Sequence, residues 1–198
     1  MKTIAISITI LLFQSFIVFG QEELEHPDIL VTNDNWGKEL FQFPIRFASE
    51  IPYTGMEEAR FPKGWGDSTH VEFWTYAFAW EIVTDEALVE TDFEINLQHY
   101  FDGLLGLSFD RKEKVIQTNA NFLKKESSKN KAWYVGKIKT FDTRFTQKPM
   151  TLHVQALSHF CEKEKQSIIL FKFSPKPFEH SVWKQLDGVK IKNGFCDY

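Results

Sequence analysis

Cysteine is scarce: two residues in 198 are too few for a disulfide-dense scaffold or a cysteine-rich zinc module. Seven prolines and ten glycines exclude collagen-like and low-complexity chains. Basic charge is not in excess. The 23 Lys and Arg against 27 Asp and Glu give a formal charge of −4, which argues against a protein held to nucleic acid by phosphate contacts. No Asn-x-Ser/Thr glycosylation site occurs, which suits a bacterial envelope protein better than a eukaryotic secreted one. Also missing are a G-x-S-x-G elbow, an H-E-x-x-H helix, a phosphate-cradling Gly loop, G-x-G-x-x-G and C-x-x-C. Catalytic groups converge in space from distant positions, so these gaps remove motif support without removing catalysis. What is plentiful is aromatic: 20 Phe, 6 Trp and 5 Tyr provide for a large, well-anchored core.

The first twenty residues read as an export signal. Lys2 supplies the positive start, and Ile4 to Phe19 form an apolar run interrupted by Gln14. The run is shorter than the about 20 residues a bilayer span needs. Small or compact side chains at Val18 and Gly20 predict cleavage between Gly20 and Gln21. The expected location is periplasmic or secreted, with no transmembrane span after cleavage. Loss of Lys2 moves the formal charge from −4 to −5.

Residues 21–35 are acidic and polar and read as a flexible lead-in, with one apolar patch at Ile29–Val31. Residues 36–198 read as a single domain. Alternation over Leu40–Ala48 predicts a strand that Pro44 pushes towards a sheet edge. Residues 49–69, rich in Pro and Gly, predict a folded loop. His70–Val83 predicts a strand with Trp74, Tyr76, Phe78, Trp80 and Ile82 on one face and Thr75, Ala77 and Ala79 on the other. Thr84 is the expected cap of a long helix that carries Val89, Phe93, Leu97, Tyr100, Phe101 and Leu104 at helical spacing and stops at Gly106. Beyond it come Val115–Gln117, Phe122, a solvated lysine-rich tip at 124–131, and strands over Ala132–Phe141, Met150–Cys161 and Ser167–Phe173. A short helix at 178–187 ends at Gly188. Short turns between consecutive strands make the sheet antiparallel there. The fold class is α+β: a largely antiparallel sheet packed by one long and one short helix.

The stretches FPIRFASEIPYTG, EEARFPKGW and FWTYAFAW, with YFDGL at 100–104, resemble a family of uncharacterised exported bacterial proteins. That resemblance implies bacterial origin and a shared fold, and it implies no reaction. The order of elements is also similar in outline to the Mog1/PsbP-like fold, a topological likeness that carries no function.

Six histidines raise the question of a metal. His153 and His159 share parity, yet six residues of strand separate them by about 20 Å. His99 and Asp102 lie at i, i+3 and read as a solvated or capping pair. No cofactor or metal is expected. Glu57 and Glu58 point to opposite faces of any extended segment, which spoils a carboxylate dyad, and they read as solvated loop charges. The loop at 57–67 holds Trp65 between Gly64 and Gly66. It reads either as a plug on the end of the core or as a pocket lip, with Trp65 as stacking wall and Glu58 and Arg60 as polar anchors. The lip would extend to Trp74 and Tyr76. The reading favours non-catalytic binding of a small ligand or an envelope protein partner through this aromatic-rich face. The alternative is a motif-free hydrolase built from Glu58, Asp67 and His70. Cys161 and Cys196 are expected to pair, because exported chains meet an oxidising compartment.

Overall fold

The structure, a computed structural model, describes residues 26–33, 35–107 and 117–194. The expected export signal with its boundary at Gly20–Gln21, residues 115 and 116 of the Val115–Gln117 stretch, and the Cys196 half of the expected disulfide lie outside these residues.

Among the described residues nine strands and two helices follow in the order β1 (Leu30–Val31), β2 (Gly37–Phe43), β3 (Gly55–Phe61), β4 (Tyr76–Val83), α1 (Glu90–Leu105), β5 (Asn119–Ser127), β6 (Lys131–Asp142), β7 (Lys148–Cys161), β8 (Gln166–Ser174), α2 (Val182–Asp187) and β9 (Lys190–Ile191). Seven strands form one sheet in the order β2-β3-β4-β8-β7-β6-β5, and β1 and β9 pair separately. Every pairing is antiparallel. The expected α+β character, mostly antiparallel with one long helix, is what the chain adopts. Among the described residues no helix is long and apolar enough to cross a membrane.

The sheet has apolar layers on both faces. On one, α1 lays Phe93, Leu97, Tyr100 and Phe101 over Phe78, Trp80, Phe171 and Phe173, all buried. The aromatic stripe of β4 is therefore core. Gly103 sits where the turn after β2 passes so closely that a Cβ would meet the Phe47 carbonyl oxygen. Gly106 ends α1 in the left-handed conformation, at φ 68°, which glycine adopts without steric cost. On the other face Ile29, Leu30, Trp36, Val182, Trp183 and Leu186 cover Ala77, Ala79, Ile168 and Leu170. The small side chains of β4 do admit a close layer, but that layer is α2 and the β1 segment.

Four local expectations are corrected. Residues 49–69 hold strand β3, because Glu57 and Glu58, which break the apolar pattern, are both buried rather than solvated. The strand expected from His70 begins at Tyr76; Trp74, at φ 51°, lies in a turn closed by its amide on the Trp65 carbonyl at 2.8 Å. The helix starts at Glu90, not after Thr84. Asp92 accepts the Val89 amide at 2.8 Å, while the Thr84 hydroxyl bonds Ser167 at 2.7 Å. Ile29 and Leu30, read within a flexible lead-in, are fully buried, and Leu30 pairs with Ile191.

Candidate functional site

The residues singled out by sequence fall into two separate places, because strand parity divides them. In β3, Glu57, Ala59 and Phe61 face the α1 layer, whereas Met56, Glu58 and Arg60 face the opposite layer; their register against Trp80, Ala79, Phe78 and Ala77 of β4 requires this.

Glu58 is fully buried and accepts the Ile29 amide at 2.6 Å and Arg60 Nε at 2.5 Å. Arg60 continues to Asp28 at 3.2 Å, and Lys38 reaches the same carboxylate oxygen at 2.7 Å. These ion pairs sew the N-terminal segment onto the sheet. The Glu58 carboxylate is thus engaged by a backbone amide and a guanidinium in holding this segment.

Trp65, Trp74 and Tyr76 do come together, on the other side. The Trp65 ring centroid lies 6.0 Å from Trp74, 6.5 Å from Tyr76 and 5.7 Å from Phe145. Trp65 is half-buried, and Trp74 and Tyr76 are buried. Trp74 Nε1 and the Tyr76 hydroxyl have no hydrogen-bond partner among the described residues. Glu58 and Arg60 do not join this cluster, so Trp65 has no polar anchors of the kind the pocket lip requires. It packs against the edge of the core.

Of the residues of the alternative site, Asp67 and His70 share one turn, closed by the His70 amide on the Asp67 carbonyl at 2.9 Å, and Glu58 lies apart on the other face of the sheet. Asp67 accepts the Thr69 amide at 2.9 Å and its hydroxyl at 2.7 Å, and these bonds hold its carboxyl below its ordinary pKa. His70 Nδ1 lies 3.4 Å from Glu72, which also accepts the Gly64 amide and Gln185 Nε2. Asp102 accepts the Thr118 amide at 3.0 Å. Among the described residues no group of three His, Cys, Asp or Glu side chains is placed to hold a metal ion.

Glu57 is the unusual titratable group. Its oxygens accept Trp80 Nε1 and the Tyr100 hydroxyl at 2.7 Å each, deep under α1. Burial pushes its pKa up to about 8, against the two hydrogen bonds that favour the anion. Burial likewise pushes Tyr100 and Tyr76 well above the ordinary tyrosine value.

The structure opens a groove that the sequence reading did not find. It lies on the sheet face opposite α1, where the layer of β1, α2 and β9 stops short of β6 and β7, and it encloses about 500 Å³. Cross-strand register builds its floor in rows. Leu170, Leu157 and Trp133 form an apolar row across β8, β7 and β6. Two residues along, Lys172 faces Gln155; on the opposite side Ile168, His159 and Lys131 form the next row. The far wall carries Asp187, Val189, Lys190, Ile191 and Lys192. Leu157 is 41% exposed, a large apolar side chain uncovered in the centre of a sheet. The sequence signal was there in the parity of Trp133 and Leu157. It is legible only once the second layer is known to end at β8.

Comparison of the chain with protein-family models, with curated proteins and with solved structures finds no match.

Proposed function

We propose that the chain is an exported, non-catalytic binding protein that holds a small, largely apolar ligand in the groove over β6, β7 and β8. The observation that carries this reading is exposed Leu157 beside half-buried Trp133, at the open end of the row that starts from covered Leu170, in a concave site of about 500 Å³. Small-molecule sites are of this size, mostly apolar, with a few polar groups at the margin. The apolar run at 4–19 and the likeness to exported bacterial proteins support export to the periplasm or beyond. Apolar layers on both faces of one sheet support residues 36–198 as one domain. The aromatic residues favoured by sequence, Trp65, Trp74 and Tyr76, pack against one another and Phe145, and the exposed apolar surface on the other face takes their place in the reading.

Titration with 1-decanol, followed by backbone amide shifts, tests this. Shifts confined to residues 131–133, 155–159, 168–172 and 187–194, and lost in Leu157→Asp, are expected. Shifts centred on 61–76 and 145, or none at all, would overturn the groove as the site.

A further inference from the structure

We propose that the groove selects a single-chain amphiphile with a monovalent anionic head, a free aliphatic carboxylate, whose head is seated at Lys172 and whose tail lies along Trp133, Leu157 and Leu170. This rests on the groove reading above and names the ligand class for that site.

The charge distribution carries the inference. The protein is acidic overall, yet the groove is lined by Lys131, Lys172, Lys190 and Lys192 against one carboxylate, Asp187. This is a local inversion of the protein's sign, placed around an apolar floor. Among the described residues Lys131, Lys190 and Lys192 have no carboxylate within salt-bridge distance; Lys172 has only Asp187, at 3.9 Å.

Lys172 differs from the other three. Its side chain is 14% exposed, whereas that of Asp187 is 65% exposed. Its side chain is mostly withdrawn from water with no closer counter-ion than Asp187, and burial together with the neighbouring Lys190 lowers its pKa. A buried charge is stable when it is paired and hydrogen-bonded, and a ligand carboxylate supplies what Asp187 supplies only at long range. Position matches chemistry as well. Lys172 lies two residues from Leu170 on β8, one row of the sheet away, about 7 Å at the rise of a strand. A head bonded to its Nζ leaves the tail free to run across the apolar row towards Trp133. A single half-withdrawn lysine suits a monovalent head, while the rim lysines add a long-range attraction for anions. Asp187, on the exposed end of α2, competes with the ligand for Lys172, so its charge sets affinity downward.

Calorimetric titration of the mature chain at pH 7 with decanoate, 1-decanol and decyltrimethylammonium, beside vesicles of phosphatidylglycerol, separates the cases. Decanoate is expected to bind at least tenfold more tightly than 1-decanol and the cationic amphiphile not at all. Lys172→Met should bring decanoate down to the level of 1-decanol. Asp187→Asn, an exposed substitution that leaves the fold intact, should tighten decanoate and leave 1-decanol unchanged. Equal affinity for decanoate and 1-decanol overturns the head-group assignment while the groove reading stands. Decanoate binding that neither variant alters overturns it too, as does capture of the protein by anionic vesicles without binding of free decanoate. Failure of both decanoate and 1-decanol to bind removes the groove reading itself.

Discussion

Glu57 and Glu58 are consecutive in β3 and lie on opposite faces of the sheet, both fully buried, one bonded to two neutral donors and the other to a backbone amide and an arginine. The parity of a strand gives two identical side chains different surroundings. Glu57 meets no cation among the bonds it makes, and burial pushes its pKa up to about 8; Glu58 is paired through Arg60.

The first prediction concerns Glu57. Its folded pKa, about 8, lies above its unfolded value, so the folded state binds more protons between the two. The stability contribution is complete below about pH 4.5 and is lost as pH rises through 8, at a slope approaching about 1.4 kcal/mol per pH unit. Glu57→Gln keeps one oxygen to accept Trp80 Nε1 and turns its amide N–H towards the Tyr100 hydroxyl oxygen, and it should flatten that slope. Urea denaturation between pH 5 and 9 measures it; parallel pH profiles for the two proteins would show that Glu57 is not the group responsible.

Glu58→Ala removes the acceptor of the Ile29 amide and leaves the Arg60 guanidinium, with a side chain 13% exposed, to Asp28 alone. Breaking a buried pair by deleting one partner costs about 3–5 kcal/mol. Loss of the β1–β9 pairing should accompany it, read as faster amide exchange at Leu30 and Ile191, with β6 and β7 unaffected.

For Trp65, the contacts with Phe61, Trp74, Tyr76 and Phe145 make Trp65→Ala a truncation at the core edge, with a cost of about 3 kcal/mol. Affinity for 1-decanol should be unchanged in the folded fraction. A stable variant that has lost ligand binding would return the site to the aromatic loop.

The Cys161–Cys196 cross-link stands as a prediction. Cys161 is buried at the end of β7, on the same strand parity as Leu157 and His159. The chain-entropy model gives a loop of this length about 3–4 kcal/mol of stabilisation. Mass spectrometry after alkylation of non-reduced protein from the envelope should find neither thiol modified; two modified thiols would show that packing alone holds the C-terminal end.

What the sequence made legible was periodic. The β4 stripe, the apolar face of α1 with its Gly106 stop, and strands β6 to β8 follow from spacing that burial on one face imposes. Strand β3 was hidden because its inward positions are carboxylates, whose burial depends on Trp80, Tyr100 and Ile29, partners 23 to 43 residues away. The helix start was misplaced because Thr84 found a better partner across the sheet in Ser167. The groove was hidden for a different reason: Trp133, Leu157, Leu170 and Lys172 lie on three strands, and only their register assembles them.

The most direct test of the binding account is a crystal structure of the mature protein grown with decanoate. The account predicts a carboxylate within salt-bridge distance of Lys172 Nζ and an acyl chain across Leu170, Leu157 and Trp133. An acyl chain found between Trp65 and Phe145 instead, with the groove unchanged, would contradict it.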